Sequence, residues 1–153
     1  MLLIGACLHC YAIDKGATMV QFSGQVVDQN PCKINNDEQV LVPFGNILQK
    51  NADGKQIQKK LNINVKCTGV NNDALKMQIV GTTSFSDNVL ETDMDDLGIV
   101  FYQNGSPVKL HTWFDLPQPA ESLLLTASPI IQNGKSMGGG EFKATATLLV
   151  NIQ

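Results

Sequence analysis

The sequence predicts an all-β domain built as a sandwich of short strands, and three observations carry that prediction. Apolar and polar residues alternate with period two in run after run, the pattern of half-buried strands rather than of helices. Turn signals interrupt the runs at short intervals, at Asn30-Pro31, Asn51-Ala-Asp-Gly54, Asn104-Gly105, Leu116-Pro-Gln-Pro119 and Asn133-Gly134. Strongly helical windows are absent, whereas Gly, Asn, Thr, Gln and Val are plentiful. A chain of 153 residues is sized for one domain, able to bury roughly two-thirds of its unfolded surface. A net charge of -3 with 16% charged residues leaves no basic patch to hold nucleic acid. No run of 18 apolar residues is present, so no membrane span is expected in the mature chain.

Taken in order, the chain opens with an apolar run, Met1 to Ala12, followed at once by polar Ile13-Asp-Lys-Gly16. This has the apolar core and small-residue boundary of a secretory signal peptide over residues 1–12. No Lys or Arg precedes the run, which leaves room for a start further upstream. A buried first strand is the plain alternative. Cys7-Leu-His-Cys10 has thiol-redox spacing without the βαβ context that such a motif needs, and Leu3-Ile-Gly-Ala-Cys7 has the form of a lipoprotein box after too few apolar residues. If the segment is removed on export, Cys32 and Cys67 remain as an even pair in an oxidising compartment and should be bridged.

Thr18, Val20, Phe22, Gly24 and Val26 alternate with Met19, Gln21, Ser23 and Gln25, a strand with one mainly apolar face. Gln39 to Phe44 reads as a short strand that Pro43 confines to an edge or a bend. Ile57, Leu61, Ile63 and Val65 share one face of a strand ending at Cys67, and Leu75, Met77 and Ile79 share a face of the next. Asp87 to Asp96 reads as an acidic loop. Leu97–Tyr102, Asn104-Gly105 and Val108–Trp113 read as a hairpin on a favoured turn. Leu123–Ala127 reads as a buried strand.

The last stretch organises the rest. Phe142, Ala144, Ala146, Leu148, Val150 and Ile152 alternate with Lys143, Thr145, Thr147 and Asn151, and only Leu149 breaks the pattern. The reading is one long strand from Gly140 onward, apolar on one face, with no following strand to cover it. Such an edge is a liability unless something is meant to pair with it.

Catalytic signals are thin. His111 lies in an alternating run, with no second His or free Cys near it in sequence for a triad or a zinc site. Gly134-Lys-Ser136 copies the end of a phosphate loop, but Pro129 stands where its first glycine belongs. Glu91–Asp96 lacks calcium-loop spacing, since Asn104 falls where the bidentate Glu would be. Trp113-Phe114 is read as core packing rather than a sugar-stacking platform. Neither a cofactor nor a metal is expected.

Phe22-Ser-Gly24 ahead of Cys32, Val42-Pro-Phe-Gly45, Cys67 closing a strand, Leu97-Gly-Ile99 before an Asn-Gly hairpin, and Gly140-x-Phe142-x-Ala144 leading to the C-terminus share their order and spacing with a known family. In these features residues 18–153 resemble the pilin subunits of chaperone–usher fimbriae. Gly140 is fourteenth from the last residue, where that family's terminal motif has its glycine; Ile152 stands where the family usually has a penultimate Tyr.

The resemblance implies an incomplete immunoglobulin-like β-sandwich lacking its last strand, over residues 27–153, with an N-terminal donor-strand extension over residues 13–26. Thr18, Val20, Phe22, Gly24 and Val26 would be the donated strand. Gly140, Phe142, Ala144, Ala146, Leu148, Val150 and Ile152 would form the strand that receives the periplasmic chaperone and later a neighbouring pilin subunit. The implied protein is a structural subunit, minor or adaptor in type. It is exported through the periplasm and the outer-membrane usher to a cell-surface fimbrium that supports adhesion. The alternatives are a single-domain secreted carbohydrate-binding adhesin and a secreted enzyme, the latter lacking any visible acid–base pair.

Overall fold

The computed structural model describes residues 18–24, 32–68 and 74–152. The described residues form ten strands: β1 Cys32–Ile34, β2 Lys59–Lys60, β3 Val65–Cys67, β4 Leu75–Val80, β5 Val89–Glu91, β6 Leu97–Gln103, β7 Ser106–Val108, β8 Phe114–Asp115, β9 Leu125–Ile131 and β10 Thr147–Ile152. All pairings among them are antiparallel. One sheet runs β2-β9-β6-β5 with β7 added to β6; a second runs β10-β4-β8; β1 pairs with β3 alone.

The period-two patterns decide which faces meet. Leu75, Met77 and Ile79 of β4 and Val150 of β10 point inward from one sheet; Ile99 and Phe101 of β6 with Leu125 and Ala127 of β9 point inward from the other. These side chains form one core with Leu61, Leu90, Leu110, Leu116 and Leu123. Met77, Ile79 and Leu125 are wholly enclosed. Burying one such side chain is worth about 1.5–3 kcal/mol, which makes the sandwich rather than any single strand the stable unit.

Cys32 and Cys67 stand opposite each other in the β1–β3 ladder and are joined by a disulfide. Asn35 secures the same corner. Its N–H donates to the Asn64 carbonyl, its Oδ1 accepts from Asn64 N–H, and its Nδ2 donates to the Asn62 carbonyl. On the outer face of the larger sheet, Gly54 donates to the Pro129 carbonyl at 2.9 Å while its own carbonyl accepts from the Tyr102 hydroxyl. A Cβ at Gly54 would lie 3.2 Å from Ile130 and 3.3 Å from Val100, so this close approach, made at a φ of +77°, calls for glycine.

Several sequence expectations are corrected. Residues 18–24 pair with no strand among the described residues; Met19 and Phe22 are 94% and 90% exposed. Residues 39–44 make no ladder although their alternation holds, with Val40, Val42 and Phe44 half-buried between exposed Leu41 and Pro43. The strand from Ile57 to Cys67 is split: β2 pairs with β9, and after Leu61 the chain changes partner, so that β3 pairs with β1. The acidic loop contains β5, held in place by buried Val89 and Leu90. The hairpin's second strand stops at Val108; beyond it Leu110 N–H donates to the Asp87 carbonyl and His111 turns at a φ of +59°. The strand expected from Leu123 begins at Leu125 and continues to Ile131. The final strand is laddered only from Thr147 to Ile152, because β4 ends opposite it at Val80. The signal segment with Cys7 and Cys10, Val26 and Asn30-Pro31 lie outside the described residues.

Candidate functional site

A long groove of 1330 Å³ runs between two extended segments of the chain. One rim is residues 38–46, which leave the disulfide corner and turn Val40, Val42 and Phe44 toward the core. The other is residues 140–150, which present Phe142, Ala146, Leu148 and Val150. Leu61, Leu90, Leu97, Ile99, Phe101 and Ala127 form the floor, so the groove opens directly onto the core. A groove that opens core side chains such as Ile99 and Phe101 to the surface is a candidate place for docking.

The sheet edges show where docking is permitted. β2 carries Lys59 and Lys60, both exposed; β5 is three residues long and ends on Glu91; β7 contains Pro107; β8 is two residues long and ends on Asp115. Short length, charge and proline are the usual devices that stop an edge from pairing with another chain. β10 has none of them. It is six residues, Thr-Leu-Leu-Val-Asn-Ile, closes the sheet order beside β4, and borders the groove.

The predicted accepting residues fall along this rim unevenly. Val150 is buried; Phe142, Ala146, Leu148 and Ile152 are half-buried; Gly140 and Ala144 are exposed. Ahead of β10 the rim is held differently from a ladder: Lys143 N–H donates to Asp93 Oδ1 at 2.6 Å, and Asp93 N–H donates to the Lys143 carbonyl at 3.0 Å. Leu149, the residue out of pattern, sits on the outer face and is 41% exposed. Of the predicted donor residues, Thr18, Val20, Phe22 and Gly24 are all exposed, and Val26 lies outside the described residues. Sequence reasoning missed the opposite rim as part of the site, although the alternation of Val40, Val42 and Phe44 was its signal.

Chemistry elsewhere is sparse. His111 sits in a turn with its Nε2 2.7 Å from the Gly81 carbonyl oxygen. Trp113, expected in the core, is 40% exposed, just ahead of β8 and outside any ladder. Asp53 accepts backbone N–H bonds from Gln56 and Lys55, which hold its carboxyl below the usual range; burial, with the nearby Asp53 charge, pushes the Tyr102 phenol up. Among the described residues no three His, Cys, Asp or Glu side chains gather to hold a metal.

Comparison with known proteins agrees with this geometry. The family model described as Fimbrial protein matches residues 20–153. The chain is 28% identical over 131 residues to the minor fimbrial protein PrsF of Escherichia coli, covering 77% of this chain and 78% of that protein. It is 27% identical to the fimbrial adapter PapF of Escherichia coli, with the same coverage. The solved structure of the P pilus adaptor subunit PapF superposes with a TM-score of 0.59 at 28% identity, covering 80% of this chain and 96% of that one. The P pilus rod subunit PapA, at 20% identity, shares the fold with a TM-score of 0.62, covering 90% of this chain and 100% of that one.

Proposed function

The chain belongs to the fimbrial protein family, and from that membership we propose that it is a minor or adaptor fimbrial subunit that polymerises by accepting and donating a β-strand. The observation that carries the reading is the contrast among the edges of the described strands: β10 alone among them is long and uncharged, and it borders a groove open to the core. A strand laid against β10 would complete the sheet and cover that groove. The occupant is first a strand of a periplasmic chaperone, then the N-terminal extension of a neighbouring subunit delivered at the outer-membrane usher. The finished subunit resides in the cell-surface fimbrium.

The same extension in this chain is residues 13–26, the pilin domain is residues 27–153, and residues 1–12 are the export signal. Burying three apolar donor side chains such as Val20, Phe22 and Val26 contributes on the order of 5–8 kcal/mol gross, and a backbone ladder adds to it. We assign the protein no catalytic step, cofactor or metal. A single-domain carbohydrate-binding adhesin has one feature in its favour, the exposed Trp113; binding of the isolated protein on a glycan array would promote it.

Two substitutions test the assignment. Val150→Asp places a charge on the accepting strand and should abolish recovery of a chaperone complex from the periplasm. Phe22→Asp should leave that complex intact while preventing this subunit from donating its strand. Unchanged complex yield with the first, or normal fibres with the second, refutes the corresponding half of the proposal.

A further inference from the structure

An aromatic pair reaches from one rim of the groove to the other. Phe44 on one rim and Phe142 on the other bring their ring centroids to 6.0 Å at an interplanar angle of 36°. Both rings are half-buried and both line the groove. Strands flanking a single missing strand stand roughly 9–10 Å apart, twice the ordinary spacing. The aromatic pair reaches across the groove, which otherwise keeps 1330 Å³ of open space.

We propose that Phe44 and Phe142 form an aromatic latch across the strand-accepting groove, which an incoming strand must part before it seats along residues 142–150. The inference rests on the strand-accepting reading above and concerns its rate. The two halves of the latch differ in how they are held. Phe142 is fixed by its neighbour Lys143, which exchanges two hydrogen bonds with Asp93. Phe44 belongs to a segment in no ladder and stands between Pro43 and Gly45. Gly45 has a φ of +66° and no atom within 4 Å of its missing Cβ. Opening thus falls to the Phe44 side, with Gly45 as the free pivot. A groove meant for one strand is closed in this way to casual ones at its Phe142 end, at a cost that a strand with good side-chain fit recovers.

The test uses the full mature chain, freshly refolded by dilution, mixed with a fluorescein-labelled peptide of residues 15–28, uptake being followed by anisotropy. Phe44→Leu and Phe142→Leu keep the apolar lining but remove the ring pair. Each should raise the uptake rate roughly three- to tenfold, the equivalent of one aromatic pair. The double substitution should be no faster than the faster single one, since either change alone opens the latch. Uptake at the wild-type rate in both single variants, or rate gains that multiply in the double, would overturn the latch and leave strand acceptance standing. Absence of uptake by the wild type and all variants would remove strand acceptance itself, and the latch with it.

Discussion

Replacing both half-cystines, as Cys32→Ala with Cys67→Ala, is expected to cost the strand-complemented protein about 4 kcal/mol. The two residues are 35 apart in sequence, and closing an unfolded loop of that length is worth about 4 kcal/mol in the chain-entropy treatment. Little else in the corner can compensate. The β1–β3 ladder is three residue pairs long, reinforced chiefly by the hydrogen bonds of Asn35. β1 also leads into the groove rim carrying Val40, Val42 and Phe44, so loosening it loosens the site. The double replacement avoids leaving a lone thiol in the buried position of Cys32. The assay is urea unfolding of the chain complemented with a peptide of residues 15–28, followed by circular dichroism. With a slope of about 2 kcal/mol per molar urea, the midpoint should fall by about 2 M. A shift under about 0.5 M would show that the bridge does not hold β1 against the body and would refute the reasoning.

Three further outcomes are expected. Met77→Ala, at a side chain with no exposure in the middle of β4, should cost about 2–5 kcal/mol in the same unfolding assay, whereas Met77→Leu should cost under about 1.5 kcal/mol. Lys59→Val combined with Lys60→Val removes the charge guarding β2 and should produce concentration-dependent association by light scattering; a monodisperse variant would contradict the edge argument. The backbone N–H groups of Gln56 and Lys55 hold the folded Asp53 carboxyl below the ordinary carboxylate value, so the stability it lends is complete above that ordinary value and is lost as pH falls through the depressed one. Asp53→Asn should therefore flatten the acid limb of the stability curve below about pH 4, and an unchanged limb would count against it.

How much of this was legible in the sequence follows from what each pattern depends on. Leu75, Met77 and Ile79 alternate because β4 is half-buried by the core, and that needs only the chain itself. Asn104-Gly105 turns β6 into β7 for a local reason, both residues taking positive φ. Patterns that depend on distant partners were misread. Val40, Val42 and Phe44 alternate like a strand, yet among the described residues they pair in no ladder, so they form a rim. Val89 and Leu90 were hidden among Asp87, Glu91, Asp93, Asp95 and Asp96, because two buried residues are too short a period for composition to outweigh. The size of Trp113 suggests the core, but it precedes β8 outside any ladder and is 40% exposed, while Phe114 is the ring that pairs opposite buried Met77. The strand from Gly140 was read too long because alternation records side-chain burial and is silent on backbone partners; opposite Lys143 the neighbour is the Asp93 loop and not a strand.

Hydrogen exchange along Thr147–Ile152, with and without a saturating complementary strand, tests most directly whether this sandwich is one strand short. If it is, the β10 amides not bonded to β4 should slow at least a hundredfold when the strand is added, while those of β6 and β9 change little by comparison. Equal protection of β10 in both states would mean that the edge is already satisfied, and the strand-accepting account would fail.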